Sequence, residues 1–322
     1  MDTRFKQLKK WLTEEVKLTY LNVEPASSDA SFRRYFRVTT GNASLILMDA
    51  PPEKENSVPF VETAYRLANL NVHTPEIHAK NLDLGFILLE DFGDKDYLSQ
   101  LTSLEAADSL YRDAIDSLLL IQQGEPNTIE RYSAEKLREE MSLFENWYLK
   151  QHLKLELTQQ QTSLLSSTQD FLVKTCLEQP QVWVHRDFHS RNLMVTTENT
   201  PGVIDFQDMV TGPITYDLAS LFKDCYIEWP RHQQLRWLNQ YYEKLESPHF
   251  SFAQLERWFD LTAFQRHLKV LGIFCRLNYR DGKPAYLNDL PLVAKYCLET
   301  MQKYVELSSF AEHFKEPLEK CL

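Results

Sequence analysis

Acidic and amide side chains are concentrated in one short segment of the sequence. The segment reads His185-Arg-Asp187-Phe-His-Ser-Arg-Asn192, and Val203-Ile-Asp205-Phe follows it closely. A carboxylate can orient an attacking hydroxyl group and accept its proton, which makes Asp187 a candidate general base. Mg²⁺ is a hard ion that prefers oxygen ligands, so Asn192 and Asp205 are candidate ligands of a Mg²⁺ that also binds nucleotide phosphates. Together these residue types predict phosphoryl transfer from ATP.

The spacing and the flanking residues make this interpretation specific. An Asp and an Asn separated by four residues are common in turns, because both side chains hydrogen-bond the local backbone. Here His185-Arg186 comes directly before Asp187, strand-like segments lie on both sides, and apolar residues flank Asp205. The same arrangement forms the catalytic loop and the metal-binding aspartate of protein kinases. We therefore interpret the segment as catalytic.

The overall composition is that of a folded, acidic protein. Of the 322 residues, 43% are hydrophobic and 25% are charged, and the formal net charge at pH 7 is −11. Nucleic acids and anionic membranes are usually met by basic surfaces, so we expect neither as a partner. No stretch approaches the roughly 18 apolar residues of a membrane span, and the N-terminus has no apolar signal core. We therefore expect the protein to lie in the cytoplasm, where ATP is available.

Hydrophobic periodicity predicts an α+β protein with two lobes. A helical period near the N-terminus precedes two extended segments, 31–38 and 44–49, which the turn residues Gly41-Asn42 join into an antiparallel hairpin. From residue 104 the pattern is mainly helical, apart from short strands around the catalytic segment. We expect a bilobal, protein-kinase-like fold. Its N-terminal nucleotide-binding lobe would span residues 1–93, and its helical catalytic and substrate-binding lobe residues 94–322.

The expected nucleotide loop departs from the protein-kinase pattern. Protein kinases cover the phosphates with a glycine-rich hairpin, but this chain has no glycine in the corresponding stretch. Ser28 and Ser31 can offer hydroxyl and backbone N–H groups to phosphate oxygens, and Arg33 and Arg34 can supply positive charge. The strand lysine is also missing, since Met48 stands near its expected position. We hypothesise that an arginine of the preceding strand takes over the phosphate contact.

A hinge for the adenine ring is predicted where the small lobe ends. The apolar run Gly85-Phe-Ile-Leu-Leu-Glu90 leads into Asp91-Phe92-Gly93, a change from strand to breaker residues. Backbone groups near Glu90 and Phe92 could hydrogen-bond an adenine.

The acceptor pocket is expected in the helical lobe. Polar and aromatic residues close to the motif segments could hydrogen-bond sugar hydroxyl groups, and an arginine could pair with a carboxylate of the acceptor. These candidates are His189, Arg191, Asp208, Asp224, Arg276 and Tyr279. For each of them alone, a structural ion pair or an exposed helix position is the alternative.

The motif segments resemble the aminoglycoside phosphotransferase and choline kinase superfamily over most of the chain. More narrowly, they are similar to the bacterial anomeric kinases of N-acetylmuramate and N-acetylglucosamine. The segments that carry this similarity are 28–37, 185–192, 205–208, 212–218 and 265–282.

The resemblance implies ATP-dependent phosphorylation of the C1 hydroxyl group of an amino sugar, in a route that recycles cell-wall sugar. It implies Asp187 as the base and Asn192 and Asp205 as Mg²⁺ ligands. It also implies that His185 and Asp217 brace the catalytic loop. The implied cofactors are ATP and Mg²⁺.

Two alternatives remain open at this point. The first is another small-molecule kinase of the superfamily, which acts on an aminoglycoside, choline, homoserine or a thioribose-type alcohol. The second is a degenerate kinase that only binds its ligand, motivated by the absent glycines and the absent strand lysine. The sequence leaves the exact acceptor, its anomer, the choice of ATP or GTP and the oligomeric state undecided; a monomer is compatible with it.

Overall fold

The computed structural model describes residues 3–28, 32–198 and 200–322. Ser31 therefore lies outside the described residues, and so does the side chain of Ser28. The chain divides into two compact units. The first comprises Met1–Tyr97 and Leu193–Asp208, and the second comprises Leu98–Asn192 and Met209–Leu322. The division into functional lobes at residue 93 stays a prediction.

An antiparallel sheet of five strands forms the centre of the first unit, in the order β1-β2-β3-β5-β4. The strands are β1 (Asn22–Ser28), β2 (Arg34–Thr39), β3 (Ser44–Asp49), β4 (Ile77–Asn81) and β5 (Phe86–Glu90). Helix α1 (Thr3–Glu14) precedes them, and α2 (Val58–Asn69) connects β3 to β4. The predicted hairpin is confirmed as β2 and β3.

The two faces of this sheet differ in their surroundings. Leu8, Trp11 and Leu12 of α1 form one apolar cluster with Phe36 of β2 and Leu47 of β3. Because side chains alternate along a strand, the neighbours of these strand residues point to the opposite face. Tyr35 and Met48 are direct partners there, and Met48 is fully buried.

A second, smaller ladder belongs to the same unit. Strands β7 (Leu193–Met194) and β8 (Gly202–Val203) pair in antiparallel fashion. The backbone N–H of Val203 donates to the carbonyl of His73 at 2.7 Å. A Cβ atom at Gly202 would lie 2.5 Å from Cδ2 of Phe92, so only glycine fits here. The ladder therefore packs tightly against the segment that follows β5.

The second unit is built mainly from helices around α9. These helices are α4 (Leu104–Ile121), α5 (Ala134–Leu143), α6 (Gln159–Leu177), α7 (Tyr216–Phe222), α8 (Arg231–Glu243), α9 (Phe252–Tyr279), α10 (Leu290–Lys303) and α11 (Ser308–Glu319), with the short α3 (Tyr97–Gln100) at the boundary of the two units. A π-helix spans Phe144–His152, and 3₁₀ turns span Pro126–Thr128, Pro284–Asp289 and Val305–Leu307. Helix α9 packs against α5, α6, α7 and α10.

A two-stranded ribbon interrupts these helices. Strand β6 (Gln181–Val184) pairs antiparallel with β9 (Val210–Pro213). The catalytic segment predicted from the sequence begins directly after β6, at His185. The ribbon therefore fixes the start of that segment within the helical unit.

The architecture confirms the predicted α+β fold class, with an antiparallel sheet in the N-terminal region and a mostly helical remainder. Within residues 3–28, 32–198 and 200–322, no helix combines the length and the apolar character of a membrane span.

Candidate active site

A buried carboxylate holds the start of the catalytic loop. Asp217 of α7 is fully buried, and its two oxygens accept the backbone N–H groups of His185 at 2.7 Å and Arg186 at 3.0 Å. Arg186 has a φ of 75°, a left-handed conformation that costs on the order of 1 kcal/mol for a side chain of this kind. The two hydrogen bonds oppose that cost. Burial raises the pKa of Asp217 to about 7, against the lowering effect of the two N–H groups.

His185 contributes a second contact to the same turn. Its imidazole is fully buried, and Nδ1 accepts the backbone N–H of Asp187 at 3.3 Å. The brace formed by His185 and Asp217, which the resemblance implied, is therefore present in the structure.

Another carboxylate holds the middle of the loop. One oxygen of Asp224 accepts both the backbone N–H of Ser190, at 2.9 Å, and its hydroxyl group, at 2.5 Å. The other oxygen accepts the backbone N–H of Tyr226 at 3.1 Å. Asp224 is only 1% exposed, and both of its oxygens accept hydrogen bonds from the chain itself. These contacts are those of a residue that positions the loop. The contact with an acceptor that the sequence suggested for Asp224 stays a prediction.

The end of the loop is tied to Asp187 itself. Nδ2 of Asn192 donates to the backbone carbonyl of Asp187 at 3.0 Å. This contact uses the amide nitrogen, whereas the amide oxygen is the atom that a hard cation prefers. The observed orientation is compatible with Asn192 as a metal ligand.

The Asp187 carboxylate is reachable and surrounded by cations. Its side chain is 43% exposed, and Nη2 of Arg266 lies 4.0 Å from Oδ1. Desolvation would raise the pKa of Asp187, but nearby positive charges, Lys269 first among them, outweigh it and lower the pKa to about 2. The carboxylate is thus ionised at neutral pH and can accept a hydrogen bond from an attacking hydroxyl group.

A charge network lies behind the loop, and the sequence did not predict it. The buried Glu140 carboxylate pairs with Arg186 at 2.5 Å and with Lys269 at 3.2 Å. Tyr132 donates its hydroxyl group to Glu140 and lies 3.1 Å from the Tyr216 hydroxyl. Burial would raise the pKa of Glu140, but the charges of Lys269 and Arg186 lower it. An ionised Glu140 therefore holds two cations near Asp187.

One signal in the sequence could have revealed this network. Arg266 and Lys269 lie on either side of Leu268, directly before the apolar run 270–275 of α9, and both are buried. Buried lysine and arginine side chains are rare unless they are paired. Their position inside a core helix thus predicts buried acidic partners, although it does not identify them.

Asp205 lies on an exposed loop in the first unit. It follows β8 and has a φ of 65°, while the next residue, Phe206, is fully buried and stacks on Phe60 of α2 at 5.0 Å. Gln207 donates to Oδ1 of Asp205 at 2.8 Å. The buried Phe206 ring anchors this loop to α2, while the neighbouring Asp205 is exposed.

The arginines proposed to bind phosphate form ion pairs in the first unit. Arg34 pairs with the fully buried Asp49 at 2.5 Å, and Arg4 of α1 reaches the same carboxylate at 2.6 Å. Arg33 lies 3.4 Å from Glu55. Arg34 is on the face of β2 that α1 covers, opposite to Met48. Replacement of the strand lysine by Arg33 or Arg34 stays a prediction.

The predicted adenine hinge follows β5, an interior strand of the sheet. The backbone N–H of Glu90 donates to the carbonyl of Glu76 at 2.9 Å, and the Phe92 ring lies 4.6 Å from the ring of His73. These contacts give the hinge segment a defined position in the first unit. Nucleotide contacts at Glu90, Phe92 and Met48 stay predictions.

The candidate acceptor residues do not form one group. His189 and Arg191 both contact the ring of Tyr226, a residue that the sequence did not single out. Tyr279 lies elsewhere, since its hydroxyl group is 3.0 Å from Nδ1 of His152.

Two further candidates are Arg276 and Asp208. Arg276 is on α9, and its buried Nε finds no hydrogen-bond partner among the residues that the structure describes. Asp208 belongs to the first unit, at the end of the segment that begins with Leu193.

A comparison with protein families decides the class of this chain. Residues 22–257 match the profile described as "Phosphotransferase enzyme family". The chain belongs to this family. Phosphotransferase chemistry agrees with a braced, ionised aspartate in the catalytic loop.

Two relatives of this phosphotransferase are similar over almost their whole length. An N-acetylmuramate/N-acetylglucosamine kinase of Pseudomonas putida is 41% identical, over 98% of this chain and 97% of the relative. An enzyme of the same name from Pseudomonas aeruginosa is 42% identical, over 97% of this chain and 96% of the relative. Among solved structures, choline kinase LicA from Streptococcus pneumoniae has a TM-score of 0.64 at 14% identity, and the match covers 94% of this chain and 100% of that one. That similarity shows a shared kinase-like fold.

Asn192 and Asp205 each carry an oxygen donor of the kind that a hard divalent cation prefers. Asn192 offers an amide oxygen, and Asp205 offers an exposed carboxylate. The described residues contain no cluster of three or more His, Cys, Asp or Glu side chains suited to hold a metal alone. Mg²⁺ is usually bound by one or two carboxylates together with substrate phosphates, so such a cluster is not required.

Proposed function

We propose that this phosphotransferase transfers the γ-phosphoryl group of ATP to the C1 hydroxyl group of N-acetylmuramate and N-acetylglucosamine. The chain is 41% and 42% identical to two N-acetylmuramate/N-acetylglucosamine kinases over nearly the full length of both chains. This identity supports the acceptor class. The observation that carries the chemistry is Asp187, an exposed and ionised carboxylate on a loop held by Asp217 and Asp224. The reaction would supply sugar 1-phosphate to cell-wall sugar recycling in the cytoplasm.

Asp187 would act on the attacking hydroxyl group. Its carboxylate orients the C1 hydroxyl toward the γ-phosphorus and accepts the hydroxyl proton as the new O–P bond forms. The bond from the γ-phosphorus to the β,γ-bridging oxygen breaks, and ADP leaves. A carboxylate with a low pKa is a weak base, and an anomeric hydroxyl is more acidic than an ordinary alcohol because the ring oxygen withdraws electrons. Positioning therefore contributes more to the rate than basicity does.

The nucleotide would be held by residues of the first unit. Ser28, Ser31, Arg33 and Arg34 are proposed to contact the phosphates, while Met48, Glu90 and Phe92 are proposed to lie around the adenine. Asn192 and Asp205 would each supply an oxygen ligand to Mg²⁺. The bound cation would neutralise part of the phosphate charge.

For the acceptor, contacts with His189, Arg191, Asp208, Asp224, Arg276 and Tyr279 remain part of the proposal. Of these, His189 and Arg191 have the strongest support, because both meet at Tyr226 beside the loop that carries Asp187.

The proposal is tested by ³¹P NMR of the products formed with Mg²⁺ and ATP. Separate reactions contain N-acetylmuramate, N-acetylglucosamine, kanamycin or choline. We expect an acid-labile sugar 1-phosphate signal with the two amino sugars, and none with the Asp187→Asn variant. A phosphate ester formed only on kanamycin or choline would refute the sugar assignment and retain the phosphotransferase chemistry.

A further inference from the structure

Arg191 of the catalytic loop is stacked on an aromatic ring. Its guanidinium carbon lies 3.5 Å from the centroid of the Tyr226 ring, although the side chain is exposed. Arg191 makes no hydrogen bond or ion pair with any residue in the described part of the chain. Stacking occupies the flat face of a guanidinium, whereas its N–H groups lie in the plane and point away from the ring. The stacked Arg191 can therefore donate two parallel hydrogen bonds at its edge.

The Tyr226 ring has a fixed position relative to the loop. The backbone N–H of Tyr226 donates to Asp224, the same carboxylate that holds Ser190. His189 meets the ring edge-on, with 5.4 Å between centroids, and Phe274 of α9 lies 6.2 Å from it. The Tyr226 ring that supports Arg191 is thus held in place before a ligand binds. Less conformational entropy is therefore lost when the guanidinium binds a ligand.

The carboxylates around the Tyr226 ring repel an anionic acceptor, and the positive charge of Arg191 opposes that repulsion. Asp187, Asp224 and Asp289 are the nearby carboxylates that interact with these residues. Burial raises the pKa of Asp289, and the positive charge of Arg191 partly opposes that effect. Arg191 is exposed and lies on the Tyr226 ring, so its positive charge can face a bound acceptor.

We propose that Arg191, held on Tyr226, binds the lactyl carboxylate of N-acetylmuramate and so allows an anionic acceptor to use a site that also takes a neutral one. This inference rests on the proposed function. N-acetylglucosamine lacks the lactyl group and leaves the guanidinium edge in water. Arg191 therefore determines the preference between the two sugars and has no part in the chemical step.

The test compares kcat/KM for both sugars in four proteins. In Arg191→Met the charge and the N–H donors are lost while an unbranched side chain remains over the ring. We expect kcat/KM for N-acetylmuramate to fall about 10- to 100-fold more than that for N-acetylglucosamine, the range of a charge-assisted pair. Asp289→Asn removes a competing carboxylate and should raise kcat/KM for N-acetylmuramate alone. Arg138→Met, at an exposed arginine paired with Asp170, is the matched control and should change neither value.

The outcomes separate this inference from the proposed function. If the wild-type protein phosphorylates both sugars and Arg191→Met lowers both values equally, or neither, the carboxylate contact is refuted and the kinase assignment stands. Activity of the wild-type protein on N-acetylglucosamine alone would also refute the contact. If the wild-type protein phosphorylates neither sugar, both proposals are wrong.

Discussion

The Asp217 carboxylate accepts the backbone N–H of His185 at 2.7 Å, across 32 residues of sequence. Its second oxygen accepts the N–H of Arg186, so both oxygens are used on adjacent residues. Asp217→Asn would replace one acceptor with an NH₂ group that faces an N–H donor. A buried donor without a partner costs about 1–3 kcal/mol.

We therefore expect Asp217→Asn to displace the loop that carries Asp187. The value of kcat should fall at least about 10-fold, because placement within an ångström governs this step, while KM for ATP changes little. Steady-state kinetics, with a melting curve to show that the variant is folded, checks this prediction. An unchanged kcat in a folded variant would mean that Asp217 does not position the loop.

The network at Glu140 predicts a second effect. Glu140→Gln keeps the shape of the side chain but leaves the buried cations Arg186 and Lys269 without their shared carboxylate. Removal of one partner from a buried ion pair costs about 3–5 kcal/mol. We expect the free energy of unfolding to fall by about 3 kcal/mol in urea titrations, with a lower kcat.

The adjacent residue provides the control for this experiment. Glu139 is exposed and pairs with Lys136 on the helix surface. Glu139→Gln should change the free energy of unfolding by less than about 0.5 kcal/mol. Equal effects of the two substitutions would show that the Glu140 network contributes nothing specific.

Elements with strong periodicity could be predicted from the sequence, whereas edge strands without it could not. The sequence predicts an apolar strand where β5 lies and a mainly helical region where α9 lies, and the structure has both. In contrast, β1 contains Pro25 beside an irregularity in its pairing with β2, and β9 contains a glycine and ends at a proline. Such segments become strands because a tertiary partner supplies hydrogen bonds, not because of their own propensity.

The same limit applies to the site. Asp187 could be proposed because its residue type and spacing are local features of the sequence, whereas the bracing role of His185 and Asp217 came from the resemblance to a known family. Glu140 could not be proposed, because it meets Arg186 across 46 residues, and a single sequence contains no record of that pairing. Long-range partners of this kind are known only once the helices are packed.

The ion pair between Arg34 and Asp49 predicts two separable effects of one substitution. Arg34→Ala leaves the buried Asp49 paired with Arg4 of α1. Because Arg34 is partly exposed, we expect a loss of only about 1 kcal/mol in the free energy of unfolding. If Arg34 also contacts ATP, its KM for ATP should rise several-fold, since guanidinium groups bind phosphate well.

Arg4→Ala distinguishes the two roles. It removes a contact with the same carboxylate from α1, so it should lower stability in a similar way and leave KM for ATP unchanged. Unaltered ATP kinetics in both Arg33→Ala and Arg34→Ala would contradict the hypothesis that an arginine replaces the strand lysine.

His267 makes the stability of the protein depend on pH. Its ring is fully buried in α9, lies 5.0 Å from the Tyr296 ring, and its Nε2 is 3.0 Å from the Lys223 carbonyl. Burial lowers the pKa of His267 to about 3, and the charges of Lys223 and Arg266 act in the same direction. In the unfolded chain the pKa would be near 6.5. Between about pH 3 and pH 6.5 the unfolded state therefore binds more protons than the folded state, so acid favours unfolding.

Because of His267, the free energy of unfolding should fall by about 1.4 kcal/mol for each pH unit below pH 6.5. At pH 5 the total loss from this residue should be about 2 kcal/mol. His267→Phe retains a ring but cannot titrate, so its urea-unfolding free energy should decline less steeply between pH 7 and pH 5 than that of the wild-type protein. The comparison uses slopes, because loss of the hydrogen bond to Lys223 lowers stability at every pH. His232 is exposed on α8, and His232→Phe should keep the wild-type slope. Parallel slopes for His267→Phe and the wild-type protein would show that His267 does not carry this pH dependence.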